Sequence, residues 1–201
     1  ERLVEEQDVA AAEFARRDQG PRQPEPQRQE DLVGRAQREV DEPEEVAALN
    51  AVSDVLIVTY YPLGEGFSAE NSALPETDFP AMVAYSEEFV RGAPVVLQEV
   101  GYPSSEINHS SESEQAEFVH HVFEAWSNNR DRIPFLNYFI LHDFNEQLCH
   151  DFEAYYGLTD ERFFNFLCTL GLLRADGTPK ESLAVFAEEV AQFMAVAVSG
   201  P

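Results

Sequence analysis

The sequence predicts an α/β fold with a parallel sheet, because three buried-strand patterns are separated by helical ones. Residues 54–60 (DVLIVTY), 94–99 (PVVLQE) and 134–141 (PFLNYFIL) are near-continuous runs of β-branched, aliphatic and aromatic residues. Such runs mark strands covered on both faces. The segments between them repeat apolar residues at helical spacing, so the order reads βαβαβ with right-handed crossovers. The length of 201 residues suits one domain of ordinary size.

Residues 1–44 are rich in Glu, Gln, Arg and Pro and poor in large apolar side chains. They are expected to form an acidic segment, of low order or weakly helical over 3–17 and 29–40, flexible or docked on something else. Gly20-Pro21 and Pro24-Glu25-Pro26 break the first of these helices. From residue 45 to 201 the pattern tightens into the sheet-bearing domain. Pro43-Glu44-Glu45 starts a helix that runs to about Asn50, with acids at the positive end of its dipole.

The first strand ends at Tyr61-Pro62, a loop over 63–77 follows, and 79–91 is expected to be helical. The second strand is closed by Gly101 and Pro103. Ser111-Glu112-Ser113-Glu114 is a capping box, and Phe118, Val122, Phe123 and Trp126 give the next helix its apolar face. After the third strand comes an aromatic-rich loop with short helices. Its Tyr155, Tyr156, Phe163, Phe164 and Phe166 read as a loop core. A last helix begins near Pro179 and runs toward Val196.

Thirty-eight acidic residues against 13 basic ones give a formal charge of −25. That field repels phosphates and anionic lipid, so neither nucleic acid nor a membrane is expected as a partner. No apolar run approaches the roughly 18 residues a membrane span needs. Lys180 is the single lysine, and an acid-rich, lysine-poor surface fits a halophilic protein as well as an ordinary acidic one. Cys149 and Cys168 both sit among apolar or aromatic neighbours and read as buried free thiols. His142, Asp143, Cys149, His150 and Asp151 match no zinc spacing. No metal is therefore expected, and since no glycine-rich loop follows a strand, no nucleotide-binding unit and no cofactor is expected either.

By period-two alternation Val95, Leu97 and Glu99 share one face, which carries the carboxylate to the C-terminal end of the second strand. An ionisable group ending a buried strand is costly unless it is paired or used.

The run Leu97-Gln98-Glu99-Val100-Gly101-Tyr102-Pro103-Ser104 resembles the seventh-strand segment of clan A glycoside hydrolases. There a glutamate ends the strand and a Gly-aromatic-Pro turn often follows. Residues 54–62 resemble the sixth strand of those enzymes, and 135–144, ending in His142-Asp143-Phe144, the eighth. The resemblance implies the C-terminal part of a TIM-type (β/α) barrel, whose earlier strands lie outside this chain or come from another chain.

It also implies a retaining glycoside hydrolase or transglycosidase acting on a β-linked oligo- or polysaccharide, with Glu99 as nucleophile. Tyr60 or Tyr61 would hold Glu99 through its phenol or stack on a sugar ring, and Tyr102 would line a subsite. His142 and Asp143 would bind sugar hydroxyls, only one of them facing the barrel. The family carries its acid/base as Asn-Glu at the fourth strand. In this chain the pair occurs only as Asn145-Glu146, after the third strand. A non-catalytic saccharide-binding or scaffold module is therefore the alternative expectation.

Overall fold

The computed structural model describes residues 52–198, with side chains through 195. The chain divides into two units, 1–43 and 44–201, and the described residues lie in the second. The helices expected over 3–17, 29–40 and 43–50 fall outside the described residues.

Strands β1 (Leu56–Tyr60), β2 (Val95–Val100) and β3 (Phe135–Tyr138) form one parallel sheet in the order β1-β2-β3. Helix α1 (Pro75–Phe89) follows β1, and α2 (Glu112–Asn129) follows β2. After β3 come α3 (Glu146–Tyr156), α4 (Glu161–Cys168) and α5 (Glu181–Val198). No helix among the described residues is long and apolar enough to cross a membrane.

Helix α1 starts at Pro75, earlier than expected. The ring fits the first turn, and Glu76 and Asp78 sit at the positive end of the dipole. The capping box works as read: Ser111 Oγ accepts from the Glu114 amide, opening an α2 that buries Phe118, Val119, Val122 and Phe123. Strand β3 is shorter than the run that suggested it. Past Tyr138 the Phe139 amide still bonds to Val100, but the carbonyls of Ile140 and Leu141 accept from Leu172 and Leu173 instead of from the sheet.

The main core lies between the sheet and its helices, where Tyr60, Val95, Leu97 and Val100 meet Phe79, Phe118 and Val122. A second cluster joins α2 to α5 through Val119, Phe123, Leu172, Phe186 and Phe193. On the opposite sheet face Ile57, Val96 and Phe135 are register partners in one apolar row. Ile57 is 56% and Phe135 53% exposed, so that face is uncovered among the described residues.

Two buried polar knots tie the loops together. Gln115 Nε2 donates to the carbonyls of Tyr102, Thr169 and Leu170, while its Oε1 accepts from Ser182. Lys180 Nζ donates to Ser104 Oγ, Asp143 Oδ1 and the Thr169 carbonyl at 2.9, 2.7 and 3.0 Å. Buried charge survives in this way when it is paired and its remaining protons are bonded.

The cysteines correct the sequence reading: they are not free thiols but a disulfide linking α3 to α4. The turn between those helices brings the two Cα atoms to 6.0 Å, within reach of a bridge. Nineteen residues of sequence separation carry no sign of that approach.

Candidate functional site at the strand ends

Parallel strands put their C-terminal ends on one edge of the sheet, so Tyr61, Glu99 and Phe139 converge there. Glu99 does not arrive by simple alternation. Val58 pairs with Leu97 and Thr59 with Glu99, which leaves Gln98 as an extra residue in β2. This bulge resets the alternation. Val95, Leu97 and Val100 remain on the helix-facing side, and Glu99 is delivered to the opposite face. The expectation that Val95, Leu97 and Glu99 share a face is thereby corrected.

Tyr61 Oη donates a 2.9 Å hydrogen bond to Glu99 Oε2. The ring is held edge-on by Phe166 at 5.3 Å and Phe139 at 6.4 Å between centroids. Burial, followed by the bond to Glu99, pushes the Tyr61 phenol far above its ordinary value. It therefore stays protonated and remains a donor to Glu99.

Gly101 makes this crossing possible. A Cβ there would stand 2.7 Å from Tyr61 Cε1 and 2.7 Å from the Phe139 carbonyl oxygen. No side chain fits beneath the tyrosine.

The other sequence candidates separate into two groups. Tyr60, next in the chain to Tyr61, points the opposite way, as strand alternation demands. It is 7% exposed, packs on Phe79 and Phe118, and donates to Asp78 Oδ2 at 2.8 Å. Tyr102 is 2% exposed, stacks on Phe118 and donates to the Glu70 carbonyl. Burial first, then nearby Glu114, pushes its phenol up to about 12.

Asp143 is engaged with Lys180 and the Gly171 amide, the latter at 2.7 Å. Burial pushes its carboxyl up and the Lys180 ammonium down, and each partner opposes the other's shift. These three side chains build the scaffold behind the edge; as sugar contacts they are corrected. His142 is exposed beside the edge, with its backbone bridged to Leu173.

Sequence reasoning overlooked Phe139 and Phe166 as the walls around Tyr61, and Lys180 as the buried partner of Asp143. The signal for Lys180 was present: it is the chain's single lysine.

In the loop after β3, Cys149 is in the disulfide and His150 pairs with Glu153 at 2.8 Å. Among the described residues the group with metal-ligand spacing is Glu76, His121 and Glu124, on α1 and α2.

No family model matches the chain. No curated protein matches it. Solved structures do. The GH5_18 protein from Bifidobacterium longum subsp. longum ATCC 55813 aligns over 72% of this chain and 32% of its own, at 20% identity and a TM-score of 0.52. GH5_18 from Streptomyces cattleya, in complex with GlcNAc, aligns over 65% and 27% at 24% identity and 0.46. A glycoside hydrolase family 17 β-1,3-glucanosyltransferase from Rhizomucor miehei aligns over 66% and 43% at 20% identity and 0.44. The chain thus spans about a third or less of the GH5_18 proteins it matches. The fold of the described residues is α/β with a three-stranded parallel sheet, and it is glycoside hydrolase-like over part of such a protein's length.

Proposed function

We propose that this chain contributes the nucleophile-bearing strands, the sixth to eighth, of a TIM-type barrel that cleaves or transfers a β-linked saccharide with retention. The observation that carries this reading is the 2.9 Å bond from Tyr61 to the Glu99 carboxylate at the C-terminal edge of a parallel sheet. The uncovered row Ile57–Val96–Phe135 supports the barrel part, because parallel sheets are otherwise buried on both faces.

In the proposed reaction a Glu99 oxygen attacks the anomeric carbon and forms a glycosyl ester as the bond to the leaving oxygen breaks. A second carboxylic acid, about 5 Å away in retaining enzymes, gives its proton to that oxygen. It then takes a proton from water or an acceptor hydroxyl, which attacks the ester and frees Glu99. Tyr61 is the positioning residue: it fixes one carboxylate oxygen so that the other is presented to the sugar.

A binding or scaffold module is the second reading, favoured by the fate of Asn145-Glu146. Asn145 caps α3 by accepting from the Leu148 amide, and Glu146 is 84% exposed. That pair is engaged in starting a helix.

Dinitrophenyl 2-deoxy-2-fluoro-β-glycosides test the proposal, because their leaving group needs no acid. Incubation of the intact barrel that contains this chain with glucosyl and mannosyl donors, followed by peptide mass spectrometry, should place the label on Glu99. Label on another carboxylate rejects Glu99. Absence of label, with saccharide binding retained, selects the second reading.

A further inference from the structure

Helices α1 and α2 lie side by side on the sheet because Phe79 packs with Phe118 and Val122 beneath them. Glu76 sits three residues before Phe79, and His121 three residues after Phe118. The core that joins the helices therefore also fixes these two side chains opposite one another. Glu124 follows His121 by one turn on the same face of α2. The three offer an imidazole nitrogen and two carboxylate oxygens, all within 4.8 Å of one another.

The contact between Glu76 and His121 is not an ordinary hydrogen bond. Glu76 Oε1 lies 2.6 Å from His121 Nδ1, yet that nitrogen, screened from solvent, makes no hydrogen bond among the described residues. A ring nitrogen screened from solvent and lacking a hydrogen bond is costly. A cation held jointly by both atoms would satisfy it, and the exposed Glu124 would close on that cation by rotating its side chain.

Beyond these ligands the arrangement continues. Glu124 Oε2 lies 3.9 Å from His120 Nε2, and His120 Nδ1 lies 2.5 Å from Glu189 Oε1 on α5. Outer partners of this kind orient ligating carboxylates.

We propose that Glu76, His121 and Glu124 form a site for a borderline divalent transition-metal ion, of which zinc is the type, that clamps α1 to α2. One nitrogen and two oxygens at about 2.0–2.2 Å suit Zn²⁺ with a water completing a tetrahedron. Mg²⁺ and Ca²⁺ prefer all-oxygen sets and would compete poorly. The site stands apart from Tyr61 and Glu99 and rests on neither of them; its consequence is stability of the helix layer.

The test uses the full chain, stripped of metal with a chelator and then dialysed. Calorimetric titration with ZnCl₂ should give one saturable site that millimolar MgCl₂ leaves in place. CoCl₂ should produce visible d–d absorption, and zinc should raise the melting temperature. His121→Gln should abolish the saturable event. Glu124→Gln should weaken it by about tenfold or more, the scale on which single groups around a metal act. His150→Gln alters the His–Glu cluster of α3 and should leave binding unchanged.

Weak, multiple, magnesium-displaced binding to the native chain would overturn the proposal, since it would reflect only diffuse attraction to the net charge of −25. Unchanged zinc affinity in His121→Gln would overturn it equally. Should His121→Gln fail to fold, the exposed Glu124→Gln decides: full native affinity in that variant rejects the site.

Discussion

The ring of Tyr61 lies directly over Gly101, at a spacing where an added Cβ would meet Cε1 at 2.7 Å. The other close atom is the Phe139 carbonyl oxygen, part of the backbone and unable to swing aside. Gly101→Ala should therefore move Tyr61 off Glu99 and cost about 1–3 kcal/mol of stability, the range for overpacking. Urea unfolding measures the cost, and labelling of Glu99 by the fluorinated donors should fall with it. A variant of native stability and native labelling would show that the close approach does not matter.

Tyr60 and Tyr61 are neighbours with opposite duties, which Tyr→Phe substitutions should separate. Each change removes one hydrogen bond to a carboxylate and should cost about 1–3 kcal/mol. Only Tyr61→Phe should slow the labelling of Glu99. Equal labelling rates in the two variants would remove Tyr61 from its positioning role.

Lys180→Met should be among the most damaging single changes. It leaves Asp143 without its partner at a site where the two side chains are 2% and 8% exposed. Losing one member of such a pair typically costs about 3–5 kcal/mol. Burial already holds the Asp143 carboxyl above its ordinary value, and loss of the ammonium removes the main opposing influence. A raised folded pKa means stability is present below the unfolded pKa and is lost as pH rises through the folded one. The deficit of the variant should therefore shrink as the pH falls toward about 4. Denaturant titrations at several pH values measure this, and a deficit independent of pH would argue against an ionised Asp143 as its source.

The disulfide closes a 19-residue separation between α3 and α4. Chain-entropy reasoning gives about 3 kcal/mol for a loop of that size. Cys149→Ser with Cys168→Ser, or reduction of the native chain, should lower the melting temperature. Proteolysis should then begin between residues 145 and 170. Melting unchanged by reductant would show that the bridge contributes nothing.

Burial raises the phenols of Tyr60, Tyr61, Tyr102 and Tyr138, that of Tyr102 to about 12. Their contribution to stability is complete below the unfolded value of about 10 and is lost as pH rises beyond it. Tyrosinate absorbance in an alkaline titration should show these four ionising late, together with unfolding. Reversible ionisation of all seven tyrosines near pH 10 in a folded chain would contradict their burial.

The sequence by itself determined the elements and their order. Uninterrupted β-branched runs make buried strands, Ser111 and Glu114 start α2, and two helical crossovers require parallel neighbours. Each of these properties is local, or follows from chain handedness. It also marked Glu99 as the residue whose charge needs an explanation. Only the tertiary structure decided which face Glu99 takes, because the extra residue at Gln98 is defined by register against β1 and not by β2 alone. The same holds for the choice between Tyr60 and Tyr61, the pairing of Cys149 with Cys168, and the capture of Asp143 by Lys180. Each depends on a distance between segments set by tertiary packing, and residue spacing carries no record of such a distance.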